Sequence, residues 1–158
     1  MSQQTSLFDD HRSEEEETVI LAVKGRTRNN NDQYPQKAAI GIVIDGEEET
    51  VAQANEFLGQ GKEYTSNLAD YRAVICGIQE VKQRRSASEV RIEIRCNNEF
   101  IVKQLNSRAD AKKMKRQHRV CKDELRQFSS WGAKWVARGE SRRIGRADDL
   151  ANEVLDTS

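Results

Sequence analysis

The sequence predicts an α/β domain that follows a short acidic N-terminal segment. Three observations predict it. Short runs rich in β-branched residues, each ended by glycine, fill the first third of the chain. A helical periodicity of apolar residues follows them, and strand-like and helix-like segments then alternate toward the C-terminus. The predicted order is β-β-β-α-β-α-α-β-α, and 158 residues are enough for one domain with a substantial core.

The first 17 residues are polar and acidic. They contain six acidic residues against a single arginine, and Leu7 and Phe8 are their only large apolar side chains. Such a segment cannot bury enough apolar surface to fold by itself, so we expect 1–17 to be a disordered tail and 18–158 to be the folded domain. The zero net charge of the chain is therefore unevenly divided, because the body has 25 basic and 20 acidic residues, a net charge of +5.

Three short runs supply the first predicted strands. They begin at Thr18, Lys37 and Glu49, with the sequences TVILAVKG, KAAIGIVIDG and ETVAQANEFLG. Their lengths and their glycine stops predict an antiparallel meander. The connection 26–36 is long for a simple hairpin.

A helix is predicted over 65–83, where apolar side chains recur at i, i+3, i+7 and i+10. These side chains are Leu68, Tyr71, Ile75 and Ile78. Thr65 or Ser66 is available as the N-cap. The spacing places one face of this helix on a core.

Five segments complete the predicted order. The stretch 88–96 alternates apolar and charged residues, as expected for a strand with one face on a core. Helices are predicted over 98–106 and 110–128, a fifth strand over AKWVARG (133–139) and a last helix over RADDLANEVL (146–155).

Membrane and redox features of the sequence indicate a cytoplasmic protein. No apolar run approaches the ~18 residues that a membrane span needs, and the N-terminus lacks a signal-peptide pattern. Cys76, Cys96 and Cys121 are odd in number and show no metal-ligand spacing, which predicts reduced thiols that pack as small hydrophobes. His118, in a basic helix, is predicted to lie on the surface.

Four local motifs occur in one order. NLADYRAVICGI (67–78) is similar to an Asn-x-Ala-Glu-Tyr-x-Ala helix start, and NNEFIVKQL (97–105) to an Asp-Ser-x-x-x-Val-x-Gln-Leu segment. WVAR (135–138) is similar to a Trp-Val-Pro-Arg strand, and RADDLANEVL (146–155) to a closing Ala-Asp-x-Leu-Ala helix. With these motifs the chain resembles the ribonuclease H family, in its short form without an extra basic handle, over residues 18–157.

The resemblance implies a fold and a chemistry. The fold is a mixed five-stranded sheet, three antiparallel strands followed by two parallel additions, with helices on its faces. The chemistry uses four carboxylates that bind two Mg²⁺ ions: one ion activates water, the other stabilises the leaving oxygen, and the RNA strand of an RNA–DNA hybrid is cut.

Two of the four metal-binding carboxylates that the resemblance implies are missing. The first-strand aspartate falls on Lys24 and the helix glutamate on Asp70; the aspartate after the fourth strand falls on Asn97 and that of the final helix on Asp148. A two-metal site is therefore not expected, and no cofactor is expected unless Asp70 and Asp148 hold a single Mg²⁺ or Mn²⁺ weakly. Lys24 is alternatively a positive charge that replaces one metal beside a phosphate. Asn97 alone also fits an engineered inactivation.

Basic residues predict a nucleic-acid-binding surface. In the resembled fold, the loops after the first strand and before the last helix border the groove for the hybrid, and phosphate contacts there are largely independent of sequence. The candidates are Arg26, Arg28, Asn67, Lys112, Lys113, Lys115, Arg116, Arg142, Arg143 and Arg146. For the basic helix over 110–128, a solvated face is the alternative.

The tail contains a second resemblance. QTSLF, at positions 4–8, is similar to the bacterial sliding-clamp-binding pentapeptide. In such a peptide Leu7 and Phe8 would fill an apolar pocket while Gln4 forms a hydrogen bond at its mouth and Ser6 occupies the second spacer position. A sliding clamp is therefore a candidate partner of the tail.

Three functions remain open from the sequence. The first is a non-catalytic ribonuclease-H-like module that binds nucleic acid or a replication or mobile-element complex, tethered to the clamp by its tail. The second is a divergent, metal-dependent ribonuclease H. The third is a purely structural subunit of a larger nucleoprotein complex. Lys24 and Asn97 argue against the second, and the basic loops favour the first over the third.

Overall fold

The described residues form five strands and four α-helices in the predicted order. The computed structural model describes residues 16–29, 36–108, 111–137 and 139–158. The elements are β1 (Glu17–Arg28), β2 (Lys37–Asp45), β3 (Thr50–Gln60), α1 (Ser66–Arg84), β4 (Val90–Cys96), α2 (Glu99–Asn106), α3 (Lys115–Leu125), β5 (Ser130–Trp135) and α4 (Arg142–Thr157), with a 3-10 turn (Ala87–Glu89) before β4. The predicted clamp-binding residues Gln4, Ser6, Leu7 and Phe8 lie outside the described residues.

The strands form one mixed sheet in the order β3-β2-β1-β4-β5. β2 is antiparallel to both β1 and β3, whereas β4 is parallel to both β1 and β5. The predicted sheet of three antiparallel strands and two parallel additions is confirmed. β1 occupies the centre, with Leu21 opposite Ile94 of β4 and Ile44 of β2.

The two faces of β1 have different neighbours, because successive side chains of a strand point to opposite sides. Val19, Leu21 and Val23 are fully buried in the larger core, under α1, α2 and α3. Ala22 packs on the other face, against α4. Lys24, two residues further, shares that second face.

Helix α4 lies very close to the sheet. Ala147 is buried against Ala22, and Ala151 against Ala39. At Gly41 of β2, an added Cβ would lie 1.8 Å from the backbone oxygen of Ala147. Small residues at the contact therefore set the distance between helix and sheet.

The boundaries of several elements differ from those predicted. α3 begins at Lys115 rather than at 110, because Met114 adopts a left-handed conformation with φ of 58° that interrupts the helix. α4 begins at Arg142 rather than at 146, because the Ser141 hydroxyl accepts a hydrogen bond from the Ile144 amide and caps it there.

The last strand is also displaced from its predicted range. β5 covers Ser130–Trp135 instead of 133–139, because it pairs with β4 in a register that sets Arg91 against Ser130. β1, for its part, begins one residue inside the predicted tail, at Glu17, which pairs with Val90. Both shifts come from pairing between distant segments, which local pattern does not reveal.

Polar and sulfur-containing side chains enter the larger core. The prediction that His118 lies on the surface is wrong: it is only 8% exposed, and its Nε2 lies 3.1 Å from the carbonyl oxygen of Gln104. Cys96 and Cys121 are free and buried, and burial raises the pKa of each thiol to about 12. They therefore pack as neutral hydrophobes, as predicted.

Within the described parts of the chain, every helix is too short or too polar to cross a membrane. The cytoplasmic location stays a prediction.

Exchanging Gly41 for alanine should lower the free energy of unfolding by at least about 3 kcal/mol, because the new methyl group would displace the backbone of α4. The control is Gly145→Ala, since nothing lies within 4 Å of a Cβ at that exposed helical position. Gly145→Ala should stabilise the protein by about 0.5–1 kcal/mol. Urea unfolding measures both, and equal effects would show that the approach of α4 does not constrain the fold.

Candidate functional site

Lys24 and Asn97 meet where β1 and β4 run side by side. The last paired residues of these parallel strands are Ala22 and Arg95, and the two site residues each follow two positions later. The Lys24 ammonium donates a hydrogen bond to Asn97 Oδ1 at 3.2 Å. An amide and an ammonium thus face each other at two positions where the resemblance implies metal-binding carboxylates.

Asp70, near the start of α1, is the buried member of the site, with 3% exposure. Its Oδ1 accepts a hydrogen bond from the Gly25 amide at 2.7 Å, and its Oδ2 accepts one from Asn98 Nδ2 at 3.0 Å. Asn98 Nδ2 also donates to Asn67 Oδ1 at 2.8 Å. Both carboxylate oxygens of Asp70 are therefore occupied by groups of the protein itself.

Asn98 has a second role that sequence reasoning missed. Its Oδ1 accepts a hydrogen bond from the Ile101 amide and caps α2. The same side chain therefore begins α2 and orients Asp70 on α1. The available signal is an asparagine directly before a helical pattern, a preferred N-cap residue.

Burial raises the pKa of Asp70 above the ordinary aspartate value. The positive charge of Lys24 and the hydrogen bonds from Asn98 and Gly25 oppose this shift, and the negative charge of Asp148 adds to it. Lys24 is thus the cation that most directly compensates the buried carboxylate.

Asp148, in the second turn of α4, faces β1 from the other side of the site. Its Oδ1 lies 3.4 Å from Nε of Arg26, and both side chains are about one-third exposed. Neither of these two atoms makes a hydrogen bond with another described group. Arg26 therefore compensates Asp148 by charge, as Lys24 does Asp70.

These contacts do not fit a pair of Mg²⁺ ions. Mg²⁺ needs several oxygen ligands, usually with carboxylates among them. Here an ammonium stands at one ligand position, a neutral amide at another, and each remaining carboxylate already has a partner in the chain. Among the described residues no group of three or more His, Cys, Asp and Glu side chains is arranged to hold a metal. The Lys24 ammonium would also repel a metal ion bound beside it. Two unit charges of like sign ~4 Å apart repel each other by about 4 kcal/mol at an effective dielectric of ~20.

Most of the arginines predicted to bind nucleic acid beside the site have partners within the chain. Arg26 contacts Asp148, and Arg28 donates to Asp156 at 2.7 Å and to Asn152 at 3.0 Å. These acceptors recur every four residues along α4, so they form one row facing β1.

The loop before α4 shows the same pattern. Arg143 is hydrogen-bonded to Asp45, and Arg146 to Gln53 at 3.0 Å. Arg142 is exposed, and no ion pair ties it to the described residues. Of the arginines predicted beside the site, Arg142 thus keeps its charge available.

The basic residues before and at the start of α3 are in a different position. Lys112, Lys113, Lys115 and Arg116 are all exposed, and none is ion-paired within the described ranges. They belong to α3 and the residues before it, and α3 packs on the face of the sheet opposite α4. The predicted nucleic-acid-binding residues thus belong to two separate surfaces.

Trp135, at the end of β5, borders the site. It is 45% exposed, and its indole N–H donates to the carbonyl oxygen of Asn97 at 3.3 Å. This hydrogen bond fixes an exposed aromatic ring beside the strand–helix junction.

The family described as reverse transcriptase-like matches residues 22–154 of the chain. The chain belongs to that family. Its structure is similar to that of RNase H1 from the halophilic archaeon Halobacterium salinarum, with a TM-score of 0.74 and 28% identity over 89% of this chain and 99% of that one. The family match and this similarity make it a ribonuclease H family protein.

Further similarities concern the fold alone. The RNase H domain from Mycobacterium tuberculosis gives a TM-score of 0.72 at 23% identity, over 89% of this chain and 94% of that one. LC11-RNase H1, solved in complex with RNA/DNA hybrid, gives a TM-score of 0.71 at 24% identity, over 88% of this chain and 97% of that one. A search of curated protein sequences finds no match.

The stability of the protein should depend on pH through Asp70. Because burial raises the pKa of this carboxyl in the folded state, the folded protein binds its proton more readily than the unfolded chain does. Its contribution to stability is therefore greatest below about pH 3.9 and is lost as the pH rises through the folded-state pKa. As the pH rises through this range, the free energy of unfolding of the wild type should fall relative to that of the Asp70→Asn variant.

Urea unfolding at several pH values between about 3.5 and 7 measures this difference. A constant difference, or one that grows in favour of the wild type with rising pH, would show that charge compensation by Lys24 outweighs burial.

Proposed function

We propose that this protein is a ribonuclease-H-like module that binds nucleic acid without cutting it. The contact between Lys24 and Asn97 carries the proposal, because it sets a cation 3.2 Å from a neutral amide at two positions where the resemblance implies metal-binding carboxylates. Catalysis by two metals needs both ions to stabilise the attacking and leaving oxygens. With the ligand set broken, the site has lost that means of stabilising the transition state.

The retained carboxylates have structural roles that explain their presence. Asp70 joins the start of α1 to β1 through the Gly25 amide and to α2 through Asn98. Asp148 joins α4 to β1 through Arg26. Each therefore links a helix to the sheet, a role that needs no metal.

Nucleic acid as the partner is supported by charge and by relatives. The body has a net charge of +5, and the exposed cations around the start of α3 are not neutralised by described carboxylates. LC11-RNase H1 and the foamy viral protease-reverse transcriptase were both solved in complex with RNA/DNA hybrid, and the latter also with dsDNA. Phosphate contacts of this kind are largely independent of sequence.

A divergent, metal-dependent ribonuclease H is the second candidate. Asp70 and Asp148 are favourable to it, since they are the two carboxylates that remain at the family positions. It requires either one weakly held Mg²⁺ or Mn²⁺ or a role for the Lys24 ammonium beside the scissile phosphate. A third candidate, a structural subunit of a nucleoprotein complex, requires no affinity for free nucleic acid.

The purified protein should leave a labelled RNA–DNA hybrid intact in the presence of Mg²⁺ or Mn²⁺ while binding it in a fluorescence anisotropy titration. Cleavage that disappears in Asp70→Asn or Asp148→Asn would establish the second candidate. Binding that is absent for hybrid, dsDNA and single strands alike would favour the third.

A double reversion provides the matched control for inactivity. Lys24→Asp/Asn97→Asp restores carboxylates at all four family positions, so this variant should bind Mn²⁺ in a calorimetric titration and be stabilised by it in thermal unfolding. The wild type should show neither effect. Equal Mn²⁺ responses in both proteins would mean that Lys24 and Asn97 do not block the site.

We further propose that residues 4–8 tether the module to a bacterial sliding clamp. The support is the QTSLF pattern, which holds the apolar pair Leu7 and Phe8 in an otherwise polar segment. Leu7→Ala/Phe8→Ala should abolish retention on an immobilised clamp, because the two side chains are the apolar anchors of the peptide. Met1 and Ser2 lie outside the pattern, so Ser2→Ala should be retained like the wild type. Retention that survives the double exchange would remove the proposal.

A further inference from the structure

A basic groove lies along α3 and is also lined by Ser107, Arg108, Ala111 and Lys112. The groove has a volume of about 670 Å³. Its lining residues include six cations and one carboxylate. The cations are Arg108, Lys112, Lys115, Arg119, Lys122 and Arg126, and the carboxylate is Asp123.

Four of these cations form a stripe along α3. Lys115, Arg119, Lys122 and Arg126 are spaced at i, i+4, i+7 and i+11, so they share one face of the helix. At 1.5 Å per residue the stripe is ~16 Å long. Since a nucleic-acid strand carries one phosphate per ~3.4 Å of helix axis, a stripe of this length can lie beside roughly five phosphates.

Lys122 fixes the floor of the groove. Its ammonium donates to the carbonyl oxygens of Leu105 at 2.8 Å and Ser107 at 3.4 Å, and it lies 5.0 Å from the centre of the Trp131 ring. Burial and the nearby charge of Arg126 lower the pKa of Lys122. These contacts join α3 to the end of α2 and hold the two walls of the groove in place.

The cations of the groove are left largely without counter-charge. Within the described ranges no carboxylate pairs with Lys115 or Arg119, and Asp123 pairs with Arg126 at 2.7 Å. Like charges at i and i+4 destabilise a helix by a few tenths of a kcal/mol each. Arg26 and Arg28 differ from these unpaired cations, because carboxylates of α4 neutralise them.

The start of α3 adds to the unfavourable charge. Lys115 and Arg116 lie in its first turn, where cations oppose the helix dipole, and the helix has no acidic residue there. Met114, with φ of 58°, provides no side-chain cap. An external anion beside this turn would relieve both the dipole and the mutual repulsion of the two cations.

We infer that the α3 groove is the main surface through which this protein binds the phosphate backbone of nucleic acid. The inference rests on the proposed function and gives it a location. The groove shares no lining residue with the degenerate site, and it lies on the opposite side of the sheet from α4. The residues that line the groove are therefore different from those at the four positions where the family performs catalysis.

The test compares two double charge reversals in the full-length chain. Lys115→Glu/Arg119→Glu removes two cations of the stripe, and Lys62→Glu/Lys103→Glu makes the same change in net charge at exposed positions outside the groove. The probe is a fluorescent 20-base-pair RNA–DNA hybrid, titrated by anisotropy at several salt concentrations, with a dsDNA and a single strand of the same length as further arms. Lys115→Gln/Arg119→Gln provides a neutral pair should the charge reversal disturb folding.

The groove variants should bind the hybrid at least ~10-fold more weakly than the wild type at about 0.1 M salt, while the control stays within about threefold. The slope of log affinity against log salt should fall by ~0.9 for each phosphate that the protein no longer neutralises, so by nearly 2 in the groove variants. Groove and control variants with equal affinities would overturn the inference and leave the proposed function standing. A wild type that binds none of the probes would overturn both.

An acidic protein segment is the other kind of polyanion that the groove can attract. If polyglutamate of matched charge displaces the hybrid as effectively as unlabelled hybrid does, the assignment to nucleic acid is wrong and an acidic protein segment takes its place. The chain has such a segment itself, which enters the described fold at Glu16, hydrogen-bonded to Ser129 just beyond α3. A variant that neutralises this segment is Asp9→Asn/Asp10→Asn/Glu14→Gln/Glu15→Gln. Tighter binding of the hybrid by this variant would identify the segment as a competitor for the groove. Loss of that gain when Lys115→Glu/Arg119→Glu is added would support the groove as the binding surface.

Discussion

The buried carboxylate of Asp70 is the constraint on which the rest of the site depends. It sits where α1 approaches β1 so closely that a Cβ on Gly25 would lie 2.3 Å from the backbone of Ala69. An ionised group in such a place is costly unless hydrogen bonds and an opposite charge compensate it. Gly25 and Asn98 supply the hydrogen bonds, and Lys24 supplies the charge. The residues around Asp70 follow from this requirement.

The same requirement explains why the cationic side chains on this side of the molecule lie beside carboxylates of the chain itself. A catalytic ribonuclease H site compensates its carboxylates with metal ions, whereas this chain compensates them with its own side chains, Lys24 for Asp70 and Arg26 for Asp148. Arg28 continues the row along β1 with its own partners on α4. Cations that neutralise internal carboxylates contribute little field toward a ligand. The unpaired cations of α3 are therefore the stronger attraction for a phosphate backbone.

The sequence predicts the outline of the site better than its contacts. The resemblance assigns Lys24, Asp70, Asn97 and Asp148 to elements that a mixed sheet brings together, and the sheet order is confirmed. The pairing of Arg28 with Asp156 joins residues 128 positions apart, and no local pattern reveals it. The start of α3 differs from its predicted position because Met114 adopts a left-handed conformation that is rare outside glycine, asparagine and aspartate.

Lys24 and Asn97 also depend on each other. An aspartate at position 97, beside Lys24, would form an ion pair with the ammonium and compete with Asp70 for its charge. Asn97 instead accepts a hydrogen bond from Lys24 without carrying charge of its own, so it orients the ammonium and leaves its field directed at the buried carboxylate. An amide is therefore the side chain that suits position 97 once a lysine occupies position 24. Compared with the aspartates that the resemblance implies at these positions, Lys24 cannot bind a metal ion, and Asn97 holds the Lys24 ammonium where it compensates Asp70.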